Sequence, residues 1–219
     1  MSTLHHSSPR DATWIGLSLS LLFPAVLVFA LRPLMGTQNA WMGPLMMWVV
    51  VSVLVLKVLP AENLPLSSIG WQGFSLKSVG LGVAFGLLMM LAFPLLQWVY
   101  KQMGWEGSAG GLARILQQPV ALRVIIVLTA GMLEEVLFRG YAIERLASLM
   151  GSRGWAALVS LLVFTGVHLG SWAPSHLISV FVVGGLLTLL YLWRRNLLIC
   201  IVAHTVVDAV GVLAASLRP

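Results

Sequence analysis

Charge is what this sequence has least of. Asp, Glu, Lys and Arg make up 9% of its 219 residues, against about 25% in a typical soluble domain. So few charges cannot cover a water-facing surface, which excludes a soluble globular protein. Acidic residues are scarcer still, seven in all. Cysteine is nearly absent. Cys200 stands alone, which excludes an internal disulfide and a multi-cysteine metal site. It lies inside an apolar run and reads as a small buried hydrophobe. Apolar runs are continuous rather than alternating, which excludes a β-barrel. There is no Gly-x-Ser-x-Gly elbow to present a serine nucleophile. There is no His-Glu-x-x-His zinc signature either. No pattern of a cleavable signal peptide stands at the start. Residues 1–11 are polar and a full-length apolar run follows, so a retained first helix is expected.

What is there is apolar: 59% hydrophobic residues and a mean hydropathy of +0.95. The expected fold is all-α, a polytopic transmembrane helical bundle of about seven to eight spans. The apolar runs place spans at 12–31, 41–59, 79–100, 120–150, 155–169, 175–193 and 197–217. Pro24 is expected to kink the first span. Trp41 and Trp48 suit a membrane interface. The 61–78 segment reads as a loop, with 69–74 able to rest on the membrane surface. Gly82 and Gly86 form a small-xxx-small pair for close helix approach, and Gly184-Gly185 permits the same. Gly104, Gly107, Gly110 and Gly111 mark a second loop. His5 and His6 lie in a polar tail and receive no role.

The formal net charge is +6. Its cations stand singly at the ends of apolar runs, apart from Arg194-Arg195. That pattern suits anionic lipid headgroups and topology, so membrane lipids are expected partners and nucleic acid is not. A slight excess of Lys and Arg favours an inner N-terminus. It puts Arg145, Arg153, Arg194 and Arg195 on one side, and Arg218 among the outer cations. Residues 1–118 form N-terminal helices and loops. Residues 119–219 form the core of one integral membrane unit, and that core is where the chemistry concentrates.

Three groups of polar residues stand on the late spans. Glu134 and Glu135 are adjacent, with Arg139 following. Residues four apart share a helix face, so Glu135 pairs with Arg139 while Glu134, rotated by about 100°, faces a neighbouring helix. Phe164 and His168 are four apart, as are His204 and Asp208. A charged side chain at bilayer depth costs roughly 2.5–3.5 kcal/mol on insertion scales. Taken singly, each group reads as an ion pair or a helix brace. Their concentration on three late helices points instead to convergence around a small wet cavity. A carboxylate and a histidine together can deprotonate water, and a second histidine can donate to a developing oxyanion. Asp208 would have to be protonated to donate, or else orient His204. A Cys200–His204 dyad is allowed by spacing but has no other support.

Glu134-Glu135-x-x-x-Arg139, Phe164-x-x-x-His168 and His204-x-x-x-Asp208, in that order on successive apolar helices, resemble the three motifs of the CPBP family. These are the CAAX-protease and bacteriocin-processing (Abi) intramembrane proteins. The flanking Phe138-Arg139-Gly140-Tyr141 is similar to the bacterial branch, and the match runs over roughly 119–211. The resemblance implies a metal-independent glutamic endopeptidase with no cofactor, multi-pass in a bacterial inner membrane. Its substrate would be a membrane-embedded or lipid-anchored protein or peptide. By it, Glu134 and His168 activate water, His204 and Asp208 form the oxyanion site, and Glu135 and Arg139 support them. The third motif often ends in Asn, where this chain has Asp208. The family also holds bacteriocin self-immunity proteins, so a non-catalytic immunity role is an alternative. A zinc-dependent intramembrane protease is another, because Glu134, His168, His204 and Asp208 are all competent ligands. A proton-coupled transporter is a third, though the polar residues lie in one half only.

Depth supplies one conflict. At 1.5 Å per residue, Glu134 lies about 21 Å along its span, and His204 about 11 Å into its own from the other side. In a core of about 30 Å these agree. His168, about 20 Å into its span, sits farther out. Its span must either start later than Trp155 or be displaced.

Overall fold

A computed structural model of the chain describes residues 8–35, 41–105, 110–170, 172 and 174–216. His5, His6, Gly107, Ser171, Ala173, Leu217 and Arg218 lie outside the described residues. Eight helices and no strand occur among those described. They are α1 (Pro9–Leu34), α2 (Met42–Ala61) and α3 (Leu76–Gln102), the short α4 (Gly110–Leu116) and α5 (120–150). Then come α6 (Arg153–Val167), α7 (Pro174–Arg194) and α8 (Leu197–Ser216). The all-α bundle expected from composition is thus present. Among the described residues four helices are long and apolar enough to cross a membrane: α1, α2, α3 and the His176–Arg194 part of α7. Two more, α6 and the Leu197–Leu213 part of α8, are apolar but shorter.

Local chemistry sets the helix ends. Ser8 and Asp11 form a reciprocal capping box at the start of α1, at 3.1 and 3.2 Å. It satisfies two backbone donors that a helix start leaves open. Gly151, at φ +68°, ends α5 in the left-handed conformation, which costs glycine no Cβ clash. α3 is interrupted at Met90–Leu91. Pro94 explains the break: it has no N–H to give the Met90 carbonyl four residues back, and its ring crowds that carbonyl. Pro24 stands between two five-residue stretches of wide, π-type turn, Ser18–Leu22 and Leu27–Leu31. There the freed backbone groups are accommodated by widening.

α5 is the axis of the bundle. Residues 135–143 are all buried. Its middle, Ala130–Ala142, is also wound as a wide π-type helix, a geometry frequent at functional sites. Two serines from other helices donate to carbonyls of this stretch: Ser20 Oγ to Leu137 O and Ser160 Oγ to Phe138 O, both at 2.6 Å. α8 lies between α3 and α5, held close by glycine. A Cβ on Gly86 would meet Ala203 O at 2.8 Å, and one on Gly131 would fall onto Thr205. The expected small-residue pair, Gly82 and Gly86, therefore seats α3 on α8.

One end of the bundle carries three ion pairs. Glu62 is buried and accepts from Thr13 Oγ1 (2.7 Å), Tyr141 Oη (2.9 Å) and Arg145 Nε. This ties α1, α2 and α5 together. Glu144 pairs with Arg195 at 2.7 Å and Arg153 at 3.8 Å, so the α5–α6 and α7–α8 turns meet. The 61–78 segment is largely a loop, as expected, with a 3₁₀ turn at Leu66–Ile69 and α3 beginning at Leu76. The surface placement needs correction: Glu62, in the turn after α2, is a buried anchor, and Ile69 is buried rather than resting on a surface. Gly70 O accepts from Leu197 N at 2.8 Å and Gln72 donates to Arg195 O. This segment is therefore docked on the α7–α8 turn. Phe74 remains exposed.

Candidate active site

The wide stretch of α5 presents its three charged residues differently. Arg139 Nη1 donates to Glu135 Oε1 at 2.8 Å, and both groups are buried. Arg139 Nη2 donates to Gly184 O at 3.0 Å. Its guanidinium carbon lies 4.1 Å from the centre of the Phe164 ring, a cation–π contact. Gly184 has to be small here. A Cβ would stand 2.9 Å from Phe164 and 3.2 Å from Arg139 Nη2. Glu134 takes no part in this set. It is half-buried and lines a cavity of about 220 Å³.

His168 lines the same cavity. It falls just past α6 in a single 3₁₀ turn, and its Nδ1–H donates to Phe164 O at 2.7 Å. That bond assigns the proton to Nδ1 and leaves the Nε2 lone pair available. Of the two ways out of the depth conflict, a later start of the span is not the one found. α6 starts at Arg153, earlier than Trp155, and the His168 turn packs against the Leu27–Leu31 part of α1. The cavity's other walls are Pro24, Leu27 and Val28 from α1, and Pro44 and Met47 from α2. The polar groups come from the late helices, but the early helices enclose them. Trp48 adds to this, its indole N–H donating to Thr129 Oγ1 at 3.1 Å.

His204 is buried on α8. Its Nδ1–H donates to Glu135 Oε1 at 2.8 Å, and its Nε2 stands 3.5 Å from Asp208 Oδ2. Asp208 itself is partly exposed. Glu135 Oε1 thus accepts from both Arg139 and His204. Its other oxygen, Oε2, is buried with no partner among the described residues. Phe164 joins the two histidines, with its ring centre 4.8 Å from that of His168 and 6.4 Å from that of His204. Neither His204 nor Asp208 lines the cavity of Glu134 and His168. The six residues therefore fall into two layers: a cavity layer of Glu134 and His168, and a layer behind it of Glu135, Arg139, His204 and Asp208, with Phe164 between.

Sequence reasoning missed three contributors. Phe164 was noted only as sharing a face with His168, and its ring role needed the other helices. Gly184 reads from sequence as a packing residue, whereas its carbonyl holds Arg139. His176 was passed over. It stacks on Trp172 at 4.0 Å, beside the cavity that Trp172 lines. Cys200 is buried, with its thiol 4.0 Å from Leu187 O. Among the described residues, no group of three or more His, Cys, Asp and Glu is arranged to hold a metal ion.

Fold and site together define a helical membrane protein with a buried carboxylate–histidine centre. Residues 116–210 match the family described as "Type II CAAX prenyl endopeptidase Rce1-like". That segment is similar to the Rce1-like CAAX endopeptidases, in agreement with the three motifs, and the match supports an intramembrane endopeptidase in general. No curated protein and no solved structure matches the chain.

Proposed function

We propose that this chain is a glutamic-type intramembrane endopeptidase that cleaves a membrane-embedded or lipid-anchored peptide in a bacterial inner membrane. One observation carries the reading: a carboxylate, Glu134, and an imidazole with its Nε2 free, His168, line one small cavity with largely apolar walls. In such a site a water between the two would lose a proton to Glu134 while His168 orients it. Its oxygen attacks the scissile carbonyl carbon. The carbonyl oxygen takes up the negative charge; its stabilising donor would be the Nε2–H of His204, the ring N–H not given to Glu135, with the substrate carbonyl directed past Phe164 toward the layer behind the cavity. Collapse of the tetrahedral species breaks the C–N bond, and the proton held on Glu134 passes to the leaving amine. Glu135 holds His204 from behind and Arg139 fixes Glu135. Asp208, 3.5 Å from His204 Nε2, orients that ring.

The apolar walls fit a substrate reached from the bilayer, and exclusion of bulk water strengthens each charge interaction inside. The test is cleavage of a membrane-anchored peptide by the protein in chelator-treated membranes. Wild type is expected to cleave; Glu134→Ala and His168→Ala are not. Cleavage that depends on added divalent metal would overturn the mechanism. Retention of function by Glu134→Gln would support the non-catalytic immunity reading instead.

A further inference from the structure

A second cavity lies away from the one that Glu134 and His168 line. It is a groove of about 390 Å³ between α3 and α7, lined by Phe85, Leu88, Met89, Leu186, Leu190 and Trp193. Phe85 and Trp193 meet edge to face at 5.6 Å toward one end of it. That end is the one where the ion pairs gather, and two cations stand there. Arg194 turns away from the Glu144 cluster that takes Arg195, and its guanidinium lies 5.0 Å from the Trp193 ring. Lys77, three turns before Leu88 on the same face of α3, adjoins Ser78. Ser78 is hydrogen-bonded by Asn196, two residues after Arg194. Both cations are exposed. Arg139, Arg145, Arg153 and Arg195 all pair with carboxylates; Lys77 and Arg194 form no such pair among the described residues.

We infer that this groove holds an anionic phospholipid, with its phosphate between Lys77 and Arg194 and one acyl chain along the groove toward Leu186. The chemistry is complementary at both ends. Two cations meet the headgroup, an aromatic ring stands at headgroup level, and apolar side chains meet the tail. From Trp193 to Leu186 the groove runs about 10 Å along α7, within one leaflet of a core of about 30 Å. The helix that forms one wall of the groove also packs on the helix that carries His204. α3 packs through Gly82 and Gly86 onto α8 beside Ala203, the neighbour of His204. A lipid filling the α3–α7 groove would therefore brace the helix that carries His204.

The experiment is native mass spectrometry of the full chain released from detergent, with phosphatidylglycerol or phosphatidylcholine added as the probe. Wild type is expected to retain one phosphatidylglycerol in preference to phosphatidylcholine. Lys77→Gln with Arg194→Gln should weaken that retention by about thirtyfold, from roughly fivefold per cation at a membrane surface. Leu189→Trp, at an exposed position of the lining, should block either lipid by filling the groove. Equal retention of the two lipids by wild type would overturn the proposal, and so would unchanged retention in the double variant. Displacement of the bound lipid by a prenylated peptide would overturn it as well, by making the groove a substrate site.

Discussion

Two buried arginine–glutamate pairs hold α5, and they are built on opposite principles. Glu62 and Arg145 join helices across 83 residues of sequence. Glu62 Oε1 accepts from Thr13, Tyr141 and Arg145, and Oε2 accepts from Arg145. Both oxygens are used. Glu135 and Arg139 are one helical turn apart. There a single oxygen accepts from both Arg139 and His204, and the other has no partner among the described residues. A saturated pair clamps structure and can do little else. An under-saturated one, beside two histidines and a second carboxylate, leaves charge unspent for another task. Buried charge without full hydrogen bonding is costly, so its retention marks where chemistry is expected.

This contrast can be broken by variants at each pole. The largest effect is expected at the cavity. Glu134→Ala should lower peptide cleavage by about 10²–10⁴-fold, the range for a lost general base, with the melting temperature unchanged. A comparable fall in melting temperature would put Glu134 with the clamps. Glu62→Ala should do the reverse. It should cost about 3–5 kcal/mol of stability by stranding Arg145, read as a lowered midpoint in thermal unfolding in detergent, while cleavage by the remaining folded protein persists.

The middle case is His204. His204→Ala should cost about 10²–10³-fold in kcat, as for a lost oxyanion donor. Added to Glu135→Gln it should cost little more, because Glu135 would act only through that ring; additive losses would sever the link between them. A smaller effect is expected at Gly184. An alanine there would push on Phe164 and Arg139, for a loss of about 1–3 kcal/mol, with kcat falling alongside stability. The least is expected at Glu144, whose partners Arg153 and Arg195 are half exposed. Glu144→Gln should change stability by no more than about 1 kcal/mol and leave cleavage unaltered. An activity loss there would mean that the ion-paired end reports to the site.

Some of this could be read before any coordinates. The Glu135–Arg139 pair follows from helical periodicity, and the structure has it. Cys200 was placed inside by its apolar neighbours, and it is buried. Glu62 could not be recognised as an anchor, because its partner Arg145 is distant in sequence and a single acid after a proline stop looks like loop. The bond from His204 to Glu135 was equally hidden, since spacing offered Asp208 as the obvious neighbour. The walls from α1 and α2 were hidden for a plainer reason: Pro24, Leu27 and Met47 differ in no way from residues that face lipid.

By itself the sequence determined the class of protein and the local pairings. A chain with so little charge has to place its surface in lipid. A helix places residues four apart on one face, wherever that helix goes. What only the tertiary structure decided is which faces meet. Helix rotation and height are set by close packing at Gly86, Gly131 and Gly184, between segments far apart in the chain. That packing brings His168 and Glu134 to one cavity, turns His204 onto Glu135, and leaves one buried carboxylate oxygen with no partner among the described residues.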